Sequence, residues 1–169
     1  VQPADAQAIV EGAKRIHVAT RNAVQRLLAV DGPDASLGAA LRGLVQRLER
    51  AGAPPIQLDL PATLQPLPPQ VADVLFRTAQ EALTNAVKHA QASRIEVVLT
   101  QSGTQVELRV RDDGVGLFAR ASLDGVGLKI MRGRAERVGG RIRSGPGDGV
   151  GTEIVLEVPT ASVGGAALH

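Results

Sequence analysis

Glu81-Ala-Leu-Thr-Asn85-Ala-Val-Lys88-His89 decides how this chain is read. It lies in a segment from Pro69 to Ala92 with few helix breakers and a helical apolar pattern, which predicts one long helix. At about 100° per residue, Glu81, Asn85, Lys88 and His89 share a stripe, because residues four, seven and eight apart lie on one face. Val71, Val74 and Thr78 continue that stripe toward the N-terminus, whereas Asp73, Arg77, Gln80, Thr84 and Gln91 mark a solvated one. A carboxylate, an amide, an ammonium and an imidazole therefore point where the first half of the helix points apolar groups. An unpaired buried polar group costs about 1–3 kcal/mol, so these four need partners. A cleft holding a metal and an anion would supply them.

The flanking segments alternate as strands do. Ile56-Gln-Leu58-Asp-Leu60 precedes a Pro-rich link from Pro61 to Pro69. Ile95, Val97 and Leu99 form one alternating run and Val106, Leu108 and Val110 another, joined by the turn Gln101-Ser-Gly103-Thr. A helix is predicted from Gly127 to Val138, followed by strands around Arg141–Ser144 and Glu153–Val158. The alternate positions Glu96, Glu107, Arg109, Arg111, Glu153 and Glu157 are charged, so one sheet face is wet and the other carries the helices. The expected fold is α+β: a two-layer sandwich with a mixed, mostly antiparallel sheet. Two further helices precede it, over about Pro3–Val30 and Ser36–Ala51, and a small polar tail follows Thr160.

Composition narrows the chemistry. At 169 residues with 44% hydrophobic and 21% charged residues, the chain has the makeup of one soluble domain. Two Phe, no Tyr and no Trp mean that any planar ligand is gripped by aliphatic side chains. A stacking platform for single-stranded nucleic acid is not expected, and the sixteen Arg are scattered along the chain. The lack of cysteine excludes disulfides and thiolate metal sites. No apolar run approaches the roughly 20 residues that span a bilayer, and no signal peptide appears. Val1 opens in mid-helical pattern without an initiator Met, as a piece of something longer would.

Three glycine clusters stand at element junctions. The strand ending at Val110 runs into Asp112-Asp113-Gly114-Val115-Gly116, a carboxylate followed by glycines that let a planar ligand approach the backbone. Gly125-Val126-Gly127 precedes a helix, whose first N–H groups favour an anion. A third cluster, from Gly145 to Gly151, leads to Thr152 and the last strand. Singly, each is also an ordinary turn. In this order, with the polar stripe before them, they resemble the ATP-binding catalytic domain of two-component sensor histidine kinases, within the Bergerat-fold ATPases. FRTAQEALTNAVKHAQAS and GVGLKIMRGRAERVGG are similar to the nitrate-sensor and hexose-phosphate-sensor branch.

The resemblance covers about residues 37–159 and implies roles. Asn85 coordinates Mg²⁺ bridging the ATP phosphates. Glu81 is the base or orienting group for the attacking histidine, and Lys88 and His89 neutralise phosphate oxygens. Asp112 accepts a hydrogen bond from the adenine amino group, with Gly114 and Gly116 giving the ring access; Asp113 is the alternative for that contact. Gly125, Gly127 and Leu128 form the lid hinge and phosphate loop, and Thr152 seats the adenine end. Residues 1–33 resemble the second helix of a dimerisation and phosphoacceptor hairpin, residues 34–159 the catalytic domain and residues 160–169 a flexible tail. The implied activity is transfer of the γ-phosphoryl group to a histidine, for relay to a response regulator, in a homodimer. His17, followed by Val18, lacks the acidic neighbour that an acceptor carries in the family, so the acceptor is expected upstream of Val1. The segment is then expected to bind Mg-ATP without phosphorylating itself. A non-catalytic ATP-sensing module, or another Bergerat-fold ATPase or serine kinase, stays open beside this.

Overall fold

The computed structural model describes residues 36–116, 126–147 and 150–160. The expected N-terminal helix with His17, the glycine Gly125 and the tail beyond Thr160 lie outside the described residues. Contacts divide the chain into a unit of residues 1–40 and one of residues 41–169, and the second carries the sheet.

The elements follow in the expected order. Helix α1 spans Leu37–Arg50, and its Ala39 N–H donates to the Ser36 hydroxyl at 3.3 Å. Strand β1 is Ile56–Asp59 and helix α2 is Pro69–Asn85, with Pro69 in the first turn, where its missing N–H costs nothing. Strands β2 (Ile95–Ser102) and β3 (Gln105–Asp112) form a hairpin, with Gly103 at φ +55° in the turn. Helix α3 is Val126–Arg137, and β4 (Arg141–Pro146) and β5 (Thr152–Pro159) complete the sheet. The strand order is β1-β2-β3-β5-β4; β1 and β2 are parallel and the other pairs antiparallel. The sheet is thus mixed and mostly antiparallel, as expected.

One face of the sheet forms the core. Ile95, Val97 and Leu99 of β2, Val106, Leu108 and Val110 of β3, and Ile154, Leu156 and Val158 of β5 are all buried. They meet Val71, Leu75, Ala79, Ala82 and Leu83 of α2 and Leu128, Met131 and Ala135 of α3, which recur at helical spacing and are also buried. The other face carries the charges. Arg109 pairs with Glu107 at 2.9 Å and with Glu153 at 3.8 Å, and Arg143 pairs with Glu157 at 2.5 Å. Val155 on that face is nonetheless buried. Its register partners are Arg109 and Arg143, whose aliphatic stems flank it while their heads reach water.

Two expectations for the central helix do not hold. The α-helix ends at Asn85, and Ala86–Ala90 form a π turn that Gln91 terminates at φ +51°. Arithmetic at one constant angle per residue therefore fails after Asn85. The stripe taken as solvated is only partly so: Gln91 is exposed as expected. Asp73, Arg77, Gln80 and Thr84 are half-buried, because α3 packs along that side of α2.

The π turn brings the backbone of Ala90 onto Gly114. A Cβ at Gly114 would stand 2.1 Å from the Ala90 carbonyl oxygen, which accepts the Val115 N–H at 2.8 Å. Gly133, in α3, has open space where its Cβ would be. Gly114→Ala is expected to cost about 1–3 kcal/mol through overpacking against rigid backbone. Gly133→Ala is expected to stabilise by about 0.5–1 kcal/mol through helix propensity. Urea denaturation of the two variants checks the opposite signs.

Candidate functional site

The end of α2, the π turn and the ends of β3 and β5 enclose a cavity. Ala82, Asn85, His89 and Ala90 line it from the helical side, and Val110, Asp112, Gly116, Thr152 and Ile154 from the sheet side. It holds about 360 Å³ of empty space, counting its open mouth. Its apolar walls are aliphatic, in keeping with a chain almost without aromatics.

Asp112 is the buried acid of this cavity. The register pairs it with Ile95 on one side and Thr152 on the other, so it occupies the last rung of β3 between two strands. Its carboxylate accepts the Gly114 N–H at 2.9 Å and is also bonded by the backbone and hydroxyl of Thr152. Burial raises its pKa above the ordinary 3.8 and outweighs these hydrogen bonds, with the neighbouring Asp113 charge pushing the same way. Asp113 faces solvent. It accepts the Ser93 N–H at 2.8 Å, the Ser93 hydroxyl at 2.5 Å and the Arg94 N–H at 3.0 Å, and the Ser93 hydroxyl leads in lowering its pKa. Two adjacent carboxylates thus have opposite environments. One is held in the cavity and the other pins the turn before β2.

The strand ends close over Asp112 only because Gly151 lacks a side chain. At φ +89°, a Cβ there would lie 1.9 Å from the Asp112 carbonyl oxygen. Gly151 precedes Thr152 at the end of the third glycine cluster, where the sequence pattern gave it no role of its own. A close backbone crossing leaves no mark beyond the glycine itself.

The structure distributes the expected site residues unevenly. Asn85, His89, Asp112, Gly116 and Thr152 line the cavity. The Asn85 amide has no protein hydrogen bond among the described residues. Lys88 is exposed and does not line it: in the π turn successive side chains are set apart by a smaller angle than in an α-helix, so its direction departs from the α-helical stripe. Glu81 is half-buried on the border between the two faces of α2, with its Oε1 placed 3.0 Å from where a Gly127 Cβ would be. Gly127 lies in the first turn of α3, where the sequence pattern begins that helix, and packs beside Glu81. Leu128 is buried on the core face of α3, and Gly114 lies beneath Ala90. The walls Ala82, Ala90, Val110 and Ile154 were not expected as site residues. They read in the sequence as ordinary core, and only the gap between helix and sheet makes them a lining.

A mixed sheet backed by helices on one face, with a cleft between the central helix and the glycine-flanked strand ends, defines a nucleotide-binding ATPase domain. Residues 70–162 match the family described as histidine kinase-, DNA gyrase B- and HSP90-like ATPase, and the chain belongs to that family. Sensor histidine kinase YxjM of Bacillus subtilis is 33% identical over 121 residues, covering 71% of this chain and 29% of that protein. Nitrate/nitrite sensor protein NarX of Escherichia coli is 38% identical over 103 residues, covering 60% of this chain and 17% of that protein. The chain therefore spans less than a third of the length of either relative. Among solved structures, the histidine kinase domain of the Erythrobacter litoralis EL346 blue-light activated histidine kinase superposes with a TM-score of 0.60 at 26% identity, over 73% of this chain and 61% of that one.

The burial of Asp112 has a measurable sign. Its folded pKa lies above 3.8, so its contribution to stability is fully present below pH 3.8 and is lost as pH rises through the folded value. Asp112→Asn removes this loss. The stability of Asp112→Asn relative to wild type is expected to increase as pH rises from 3.8 toward 7. Denaturant titrations at pH 4 and pH 7 measure it.

Proposed function

We propose that the chain is the ATP-binding catalytic domain of a sensor histidine kinase. It transfers the γ-phosphoryl group of ATP to a histidine on a dimerisation helix, for relay to a response regulator. One observation carries this reading: a single cavity is lined by Asn85 and His89 from the helical side and by Asp112, Gly116 and Thr152 from the sheet side. A polar phosphate end and an acid-bearing, aliphatic base end suit a nucleotide.

The Asp112 carboxylate, already turned by the Gly114 N–H and by Thr152, accepts the adenine amino group. Val110, Ile154 and Ala82 sandwich the ring, and Gly116 admits its edge. At the other end His89 balances phosphate oxygens, and the first turn of α3, at Gly127 and Leu128, offers N–H groups that favour an anion. Among the described residues no group of three His, Asp or Glu is placed to hold a metal ion. A lone Asn85 amide still fits Mg²⁺, a hard ion that keeps several waters and takes further oxygens from phosphate. When bound, Mg²⁺ offsets the charge on the β- and γ-oxygens.

In the reaction a neutral imidazole attacks the γ-phosphorus with the lone pair of one ring nitrogen. An N–P bond forms, the bond to the β,γ-bridging oxygen breaks, and ADP leaves with that electron pair. The Glu81 carboxylate accepts or holds the proton of the other ring nitrogen. The rest of the rate comes from positioning and charge neutralisation. The acceptor helix, the response regulator and the second subunit are partners of this reading, as is a place on the cytoplasmic side of a membrane sensor. Among the described residues no helix is long and apolar enough to cross a membrane.

Calorimetry with Mg-ATP tests the site. Removing one hydrogen bond to a charged group, in Asp112→Asn, is expected to weaken ATP by about 10–100-fold, from roughly 1.5–3 kcal/mol. Asn85→Ala is expected to abolish the Mg²⁺-dependent part of binding. Unchanged affinity in Asp112→Asn refutes the pocket assignment. Acid-labile, base-stable label transferred from ATP to a histidine-bearing hairpin tests the kinase assignment separately.

A further inference from the structure

Strand β1 is an edge of the sheet, and its outer side is only partly covered. It pairs with β2 alone, in parallel, and the Ile95 N–H donates to the Pro55 carbonyl at 3.1 Å. Along such a strand the backbone groups of successive residues alternate in direction. Those of Gln57 and Asp59 therefore bond β2, and those of Ile56 and Leu58 point away from the sheet. In keeping with this, the Ile56 N–H donates outward to Glu49 Oε1 of α1 at 3.1 Å. The Leu58 N–H and C=O, next along the same edge, have no protein partner among the described residues. An unpaired edge of this kind is a template for another strand.

Helix α1 runs alongside this edge in the opposite direction. Glu49 sits at Ile56, and Arg42, Val45 and Gln46 line a groove with Leu58, Asp59 and Leu60. Arg42, Gln46 and Glu49 lie at i, i+4 and i+7 and share one stripe. The two turns from Arg42 to Glu49 rise about 10 Å, and Ile56 to Leu60 spans about 13 Å, so stripe and edge keep step. The stripe carries a carboxylate at one end, an amide in the middle and a guanidinium at the other. Arg42 is exposed and has no ion pair among the described residues.

That order is self-complementary. A two-fold axis through Leu58 sets a second β1 antiparallel to the first, and the two Leu58 residues exchange both hydrogen bonds. Gln57 then faces Asp59 of the second copy, an amide donor against a carboxylate. On the helical side Gln46 faces Gln46, and Arg42 comes opposite Glu49 at both ends. Glu49 bonds the Ile56 N–H through one oxygen, which leaves the other for the guanidinium. We propose that the β1 edge docks a second copy of this chain, joining two five-stranded sheets into one. Pro54 and Pro55 before β1 and Pro61 after it confine the pairing to this short stretch, so the contact is weak and reversible. The groove shares no residue with the nucleotide cavity, and the proposal is independent of the assignment made above.

The test is charge exchange across the two-fold axis. Sedimentation equilibrium of the whole chain, up to about 1 mM to cover weak complexes, is expected to show a reversible dimer. Arg42→Glu and Glu49→Arg each set like charges face to face at both ends, and each is expected to weaken the dimer by about tenfold or more. Mixed one to one, the two variants again oppose unlike charges, and affinity is expected to return to within about threefold of wild type. Hydrogen exchange at the Leu58 amide is expected to slow as wild-type concentration rises, and it decides alone should Glu49→Arg fail to fold. A monomer at every concentration would overturn the proposal, as would Leu58 exchange independent of concentration. Association that Arg42→Glu leaves unchanged runs through another surface and overturns it too. So does a mixture of folded variants that pairs no better than either alone.

Discussion

The buried carboxylate of Asp112 is the constraint around which this domain is arranged. An ionisable group at the end of a central strand is costly to desolvate, and its raised pKa records that cost. It is tolerated because three donors converge on it: the Gly114 N–H and the backbone and hydroxyl of Thr152. Each donor requires a close backbone approach. Gly114 must pass under Ala90, and Gly151 must pass within van der Waals contact of the Asp112 carbonyl. The glycines near the site thus serve the chain's own crossings first. The space they leave is what a ligand inherits.

The π turn at Ala86–Ala90 is the second determinant. By closing at i→i+5 it carries Ala90 onto the glycine loop and keeps His89 beside Asn85, while Lys88 turns out to solvent. Extra residues inserted into a helix in this way are common where function needs a side chain re-aimed. Here it separates a lysine and a histidine that sit next to each other in sequence. The opposite edge of the same helix faces α3, where Asp73, Arg77, Glu81 and Arg134 share one seam. One helix therefore presents its apolar face to the sheet, its polar end to the cavity and a charged ridge to its neighbour.

The architecture was legible because it rests on periodicity. Alternation in β2, β3 and β5 separates Val97, Leu108 and Leu156 from Glu96, Glu107 and Glu157, and a single burial boundary follows from it. Asn85, His89, Asp112, Gly116 and Thr152, which line one cavity, were also singled out in the sequence, since polar or glycine residues at element junctions have few structural reasons to be there. Arg77 and Asp73 misled for the opposite reason. They look solvated by type, but a second helix packs beside them and leaves the Arg77 side chain 11% exposed and that of Asp73 36%.

The sequence by itself determined the layers, the strand order's raw material and the identity of the polar groups gathered at one end. Those follow from local rules, in which each residue's type and its neighbours a few places away suffice. Tertiary structure decided that Lys88 leaves the cavity and that Gly127 packs against Glu81. These depend on backbone segments distant in sequence: Gly151 over Asp112, Ala90 over Gly114, and α3 along α2. Contacts of that kind are set by where packed elements come to rest, and no spacing within a single segment encodes them.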